Sequence, residues 1–326
     1  MKKILAVILA AVVAPPAGAQ VIKLGTLAPQ GSTWHEILKD MGQRWEEASG
    51  GTVKLRVYAG GVQGDEGEMV RKMGIGQLQA ASITNIGMHD ILPDPAVMSV
   101  PLLFDGQAEA DCAFEKVRPR LERGFAEKGY TVLQWSRVGA VHLFCNAAKR
   151  IPADMKDAKM YVWEGDPKSV QAFRAAGFTP VVLSATDIIP SLQTGMIDCV
   201  TTAPLYVLTA RLFEKASYMQ DLPWGFIYGA TLVRSDAWGR IPADVRARLA
   251  AIAVELGKKV DVEVQRLNAD AVAAMQRQGL QVVKAEAAAW RPALERSYAV
   301  VRGGVVPAGF FDEVKRARDA CRAAKR

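Results

Sequence analysis

Residues 21–58 run VIKLGTLAPQ GSTWHEILKD MGQRWEEASG GTVKLRVY, and this stretch decides the fold class. Residues 21–27 read as a strand. A Pro/Gly/Ser loop follows. Trp34, Ile37, Leu38, Met41 and Trp45 then recur at helical spacing and mark one buried face. Ser32 or Thr33 can cap that helix, and the Ser49-Gly50-Gly51 run stops it. Residues 53–58 are rich in β-branched and aromatic side chains and predict the next strand. A second helix over 66–78 buries Met69, Val70 and Met73, and a strand over 80–86 completes a βαβαβ unit. That order predicts an α/β fold with a mostly parallel sheet. Ligands in such sheets bind beyond the carboxyl ends of the strands. The loops 28–34, 60–66 and 84–89 are therefore candidate lining, and they offer Trp34, Thr84, Asn85 and Met88.

Upstream, Lys2 and Lys3 precede an apolar run over 4–14, then Pro15, Pro16 and the small residues 17–19. This is the order of a secretory signal, predicted to span 1–19 and to be cleaved before Gln20. The run is shorter than the about 20 apolar residues of a spanning helix. The mature chain is expected to be soluble and periplasmic. The formal charge of +7 falls by two, to +5, with Lys2 and Lys3 removed. The excess gathers near the C-terminus without interleaved aromatics, which argues for a solvated helix face and against nucleic acid. Cys112, Cys145, Cys199 and Cys321 lack metal or redox spacing, and the sequence leaves their pairing open.

Downstream, a helix is expected over 108–128, with Pro119 inside it. Strands are expected over 131–135 and 138–145, with the first crossing between domains near 137–139. The grammar then repeats: strand 160–163, helix 168–176, strand 179–183, helix 186–194, strand 197–202 and a return strand 228–234. Residues 243–279 carry one helical pattern. About 36 residues at 1.5 Å each reach roughly 54 Å, longer than a domain is wide. The competing reading is two helices broken at Gly257, since interior glycine disfavours helix by ~1 kcal/mol. The predicted domains are 20–137 plus about 225–245, then 138–224, with 246–326 packing on both.

These residues resemble the DctP-type solute receptors of tripartite ATP-independent periplasmic (TRAP) transporters over nearly the whole mature chain. The resemblance rests on WEEASGG at 45–51 followed by VKLRVY at 53–58, and on GDEGE at 64–68 leading to GQLQAA at 76–81. It rests also on PLLF at 101–104, and on the stretches 146–151, 154–160 and LQTGMID at 192–198. It implies a two-domain periplasmic binding protein with crossing strands, a closed cleft, no catalysis and no cofactor. It also implies a small-molecule ligand, small and large membrane components of a permease, and transport driven by an ion gradient.

The typical receptor of that family pairs its ligand carboxylate with an arginine, whose fork matches a carboxylate bidentately. The matching position in this chain is Tyr161. A second basic residue of some members matches Val141. With both gone, the expected ligand is apolar or neutral, as in a branch of the family sometimes associated with tetratricopeptide-repeat proteins. Tyr161 and Trp163 share one strand face. Leu143 and Met88 are expected to add apolar lining, as is Phe104 of the PLLF stretch. Thr202 and Pro204 sit at a strand end, and Trp224 and Tyr228 flank the late crossing. An arginine from elsewhere, such as Arg137 or Arg234, is the rescue that would restore an acidic ligand.

His35, His89 and His142 have no metal spacing. Glu66 and Glu68 read as helix-start residues favoured by the macrodipole. Dinucleotide, Walker, GxSxG and HExxH motifs are missing, so an enzyme has little support. Two further alternatives are a receptor for an organic acid with a displaced basic residue and a binding protein of an ATP-driven importer.

Overall fold

The computed structural model describes residues 19–164 and 167–324. The signal over 1–19 lies outside the described residues, except for its last position. The described residues form ten strands: β1 (Gln20–Thr26), β2 (Val53–Tyr58), β3 (Ala80–Thr84), β4 (Tyr130–Cys145), β5 (Lys159–Trp163), β6 (Thr179–Leu183), β7 (Cys199–Thr202), β8 (Tyr218–Gln220), β9 (Gly225–Arg234) and β10 (Gln281–Val283). Their order is β2-β1-β3-β9-β4-β7-β5-β6, with β8 beside the end of β4 and β10 beside β8. The parallel sets β2-β1-β3 and β7-β5-β6 lie on either side of the antiparallel pair β9 and β4. The α/β class and the crossing strands expected from the sequence are present.

The first crossing differs from its expected form. Instead of two strands, β4 is one strand of 16 residues. It pairs with β9 from Tyr130 to Val141 and with β7 from His142 to Cys145, with register shifts between Val132 and Gln134 and between Arg137 and Gly139. Gly139 accommodates the second shift at φ +133°, where a Cβ would also lie 2.6 Å from Asn268 Nδ2. A bulge of this kind redirects a strand without ending it, so pairing continues where composition suggested a break.

The long helix Ala243–Arg277 is unbroken over 35 residues, about 52 Å. Gly257 does not break it because glycine is needed there for proximity. A Cβ would meet Gln134 Cβ at 3.1 Å and the Trp135 carbonyl at 3.3 Å. Along its length the helix ties down successive parts of the fold. Leu249 O accepts from Trp45 Nε1 (3.0 Å). Asp261 pairs with Arg137 (2.8 Å). Asn268 donates to Val138 O (2.8 Å) and accepts from Leu205 N (2.9 Å), a free donor at the start of helix Pro204–Thr209. The helix therefore holds β4 at its bulge and packs against helices Thr33–Ala48 and Pro204–Thr209, one from each half.

Helix Gln107–Glu127 runs through Pro119 as one element and packs on helix Ala308–Ala323. A disulfide, Cys112–Cys321, joins the two. The second disulfide, Cys145–Cys199, joins directly opposed residues of β4 and β7.

Candidate functional site

Two chambers lie where the carboxyl ends of the parallel strands face one another, with volumes of ≈ 160 and ≈ 170 Å³. They share Ile86, Tyr161, Trp163, Thr201 and Ile227 as walls, so they lie side by side in the cleft. The start of helix Thr33–Ala48 brings Trp34 to the first chamber, the start of helix Glu66–Gly74 brings Glu66, and β3 ends there at Thr84. From the other side come Tyr161 and Trp163 of β5, Thr202 of β7 and Tyr206 on the next helix. The second chamber is lined chiefly by apolar side chains, among them Val141, Phe173, Phe178, Trp224 and Val305, with Asn85, His89, Ser99, Ser169, Thr201 and Ser297 as polar exceptions.

The halves are bridged above the first chamber. Asp65 caps helix Glu66–Gly74 by accepting from Glu68 N through Oδ1 (2.9 Å). Its Oδ2 accepts from Trp163 Nε1 (2.9 Å) and Ser184 Oγ (3.2 Å) across the cleft. The Trp163 ring lies against Gly67, where a Cβ would come within 2.9 Å of it. One capping carboxylate thus starts a helix on one side and holds an indole from the other.

Glu66 is the residue that sequence reasoning missed. A glutamate in a first helical turn is fully accounted for by the helix dipole, so nothing local marks it out. Here the side chain is buried in the chamber wall. Oε1 accepts from Thr84 N (2.8 Å), and Oε2 accepts from Thr84 Oγ1 (2.7 Å) and Gly87 N (3.0 Å). Burial raises its pKa above the usual carboxylate value, against the hydrogen bonds from Thr84 and Gly87. Burial also raises the Tyr161 and Tyr206 hydroxyls, and Glu66 contributes to both shifts. Trp34, from the same half as Glu66, also lines this chamber, and its Nε1 is a buried donor with no hydrogen-bond partner among the described residues.

Of the residues anticipated from sequence, Trp34, Thr84, Tyr161, Trp163 and Thr202 line the first chamber. Asn85, Val141 and Trp224 line the second, together again with Tyr161 and Trp163. Five are placed elsewhere. Met88 packs with Met69, Ile83 and Phe125 beneath the cleft. Phe104 packs edge-on against Phe226. Leu143 shares strand parity with Val141 but lies further along β4, under Trp224 and Trp290. Pro204 is buried as the first residue of its helix. Tyr228 stacks on Phe114 with centroids 4.5 Å apart and donates to Asp111 Oδ1 (2.5 Å). Strand parity finds a face, but it does not tell cleft from core along that face.

Neither candidate arginine reaches the cleft. Arg137 pairs with Asp111 and Asp261, both at 2.8 Å. Arg234 pairs with Asp236 (2.9 Å) and donates to Met73 O (2.5 Å). Among the described residues lining either chamber there is no lysine or arginine. Among the described residues no cluster of ligating side chains could hold a metal, and no helix is long and apolar enough to cross a membrane.

His142 points away from the cleft, with Nδ1 3.0 Å from Gln220 O. Burial lowers its pKa below 6.5, outweighing the Gln220 carbonyl and Asp221, which both favour the proton. The unfolded chain therefore binds a proton that the folded chain refuses. Its contribution to stability is present above the unfolded pKa of about 6.5 and is lost as pH falls through the lower folded pKa. Urea midpoints should drop from pH 7 to pH 5, and His142→Gln should flatten that drop. An unchanged pH slope in the variant would count against this role.

The sequence model of bacterial extracellular solute-binding protein, family 7 (DctP) matches residues 24–302. The chain is 26% identical to the uncharacterized protein YiiZ of Salmonella typhimurium over 56% of its own length and 57% of that relative. It is 24% identical to the C4-dicarboxylate-binding periplasmic protein DctP of Rhodobacter capsulatus, covering 76% of each chain. Its fold is similar to that of a TRAP periplasmic solute-binding protein from Roseobacter denitrificans with bound β-D-glucuronate. There the TM-score is 0.83 at 16% identity, covering 90% of this chain and 99% of that one.

Proposed function

The chain belongs to family 7 of the bacterial extracellular solute-binding proteins, the DctP receptors of TRAP transporters, and from that premise we propose that its own ligand is apolar or neutral rather than an organic acid. The family makes it a periplasmic binding protein that serves membrane transport components, not an enzyme, and sets aside an ATP-driven importer. One observation carries the proposal about the ligand. Among the described residues neither chamber is lined by a lysine or arginine, His89 in the second being the one basic type, and the one carboxyl group in the first chamber is Glu66. An organic acid would bring a second negative charge beside a buried carboxyl with no cation to neutralise it, which is costly in a low-dielectric site. The relatives named for a dicarboxylate or bound to a uronate bear on those proteins' ligands. Tyr161 and Val141 stand in this chain where the resemblance expects basic residues, which favours the branch without the carboxylate-binding arginine. The same branch suggests a tetratricopeptide-repeat partner, which co-purification from the native host would reveal.

Ligand extracted from freshly purified protein and identified by native mass spectrometry tests the reading. A neutral or apolar compound is expected. Glucuronate and succinate should leave the melting temperature unchanged at concentrations where a specific ligand in hundredfold excess over Kd adds about 2.7 kcal/mol. A bound dicarboxylate or uronate would refute the proposal.

A further inference from the structure

Most polar side chains around the second chamber are already answered by the protein. Asn85 Nδ2 donates to Ser99 Oγ (2.8 Å), and Asn85 Oδ1 accepts from Tyr228 N (3.2 Å). Ser99 Oγ donates in turn to Phe226 O (3.1 Å), and Ser297 Oγ donates to Leu294 O (2.6 Å). Ser169 is engaged as well. The indole of Trp224 spends its one donor on Gln220 Oε1 (2.6 Å) and shows the chamber its ring. A donor used inside the wall is not offered to a ligand. The remainder of the lining is hydrocarbon, led by Val141, Phe173 and the stacked pair of Phe178 and Trp224, whose centroids are 5.7 Å apart.

The first chamber differs in kind. Its wall carries the Glu66 carboxyl and the hydroxyls of Ser136, Thr202 and Tyr206, so hydrocarbon placed there would cover polar groups that water can serve. The second chamber offers water few partners, and a buried water needs about two to four. Its volume of ≈ 170 Å³ is close to the about 150 Å³ of an apolar protein cavity that takes up benzene or xenon.

We propose that the second chamber seats the hydrocarbon of the ligand, and that it accepts one compact apolar group the size of a single six-membered ring. This rests on the reading that the ligand is apolar or neutral, and it adds which chamber binds it and how large the bound group is.

The test uses the mature protein stripped of co-purified ligand. Crystals held under xenon pressure should show xenon bounded by Val141, Phe178 and Trp224. In calorimetric titrations toluene should bind about tenfold or more tightly than benzoate, whose charge would be buried without a cation. Naphthalene should gain nothing over toluene, although it is the more apolar of the two. Ala172→Phe fills the second chamber from helix Pro167–Ala175 and should weaken toluene binding about tenfold or more. Val141→Phe fills it from β4 should Ala172→Phe fail to fold. Xenon held in the first chamber instead, or toluene binding indifferent to both phenylalanine variants, overturns the choice of chamber while the neutral-ligand reading stands. Naphthalene binding about tenfold more tightly than toluene overturns the single-ring size. Failure of both xenon and toluene to bind overturns the proposal alone. Benzoate binding in preference to toluene overturns the proposal and the neutral-ligand reading together.

Discussion

Trp163→Ala is expected to weaken binding of the co-purifying ligand by about a hundredfold and to open the cleft. The indole is a shared wall of both chambers, is buried, and closes on Gly67 and Asp65 from the opposite half. Truncating a buried aromatic anchor at an interface costs about 2–4 kcal/mol, and a hundredfold is near 2.7 kcal/mol. The loss should fall mainly on closure, because the ring bridges two halves that each keep their own cores. Small-angle scattering should show a larger radius of gyration, and ligand should no longer restore the compact value. Trp163→Phe separates the two contributions. It keeps an apolar wall but removes the N–H that Asp65 Oδ2 accepts, and a hydrogen bond to a charged group is worth about 1.5–3 kcal/mol. Its affinity should lie between wild type and alanine. Alanine affinity equal to wild type would show that Trp163 is core rather than clamp.

The second large effect concerns stability. Replacing Cys112 and Cys321 together by alanine should cost about 3–5 kcal/mol and lower the melting temperature by about 6–10 °C. The cross-link spans 209 residues, and in the chain-entropy account a loop of that length restricts the unfolded state by about 5 kcal/mol, an upper figure. A chain of this size loses about 2 °C per kcal/mol. The two helices keep other ties. Phe114, Val117 and Leu121 pack with Phe310 and Val314, Arg120 pairs with Glu313, and Arg322 pairs with Glu109. The variant should therefore fold and bind, with a lower denaturant midpoint. A midpoint unchanged by the double substitution would mean that these contacts alone hold the helix pair.

The fold was legible where one periodicity ruled a segment. The first helix shows its buried face in Ile37, Leu38, Met41 and Trp45, as expected. The long helix could be read despite Gly257, because the apolar repeat continues past it. The glycine's purpose, close approach to Gln134 and Trp135, is tertiary and leaves no local trace. For the same reason β4 was read as two strands. Its bulge at Gly139 looks like a break unless β9 is already beside it.

The site was legible in part. Alternation put Tyr161 and Trp163 on one face, and the strand-end rule chose the loops of Trp34 and Thr84. It could not measure depth, so Met88, Phe104, Leu143, Pro204 and Tyr228, which belong to the core or a helix start, looked equivalent to lining residues. Glu66 failed for the opposite reason, because a sufficient local explanation hid a tertiary one. Cysteine pairing was closed to sequence because separations of 209 and 54 residues carry no geometric preference.

The partnership of helix Gln107–Glu127 with helix Ala308–Ala323 also has a kinetic side. A ribosome delivers the first of these some 180 residues before the second, so the surface that Phe114, Val117 and Leu121 share with Phe310 and Val314 stays uncovered for most of synthesis. Contacts so distant along the chain slow folding. In a family of extracytoplasmic receptors, that order leaves the fold without its closing helix until nearly the whole chain has been made.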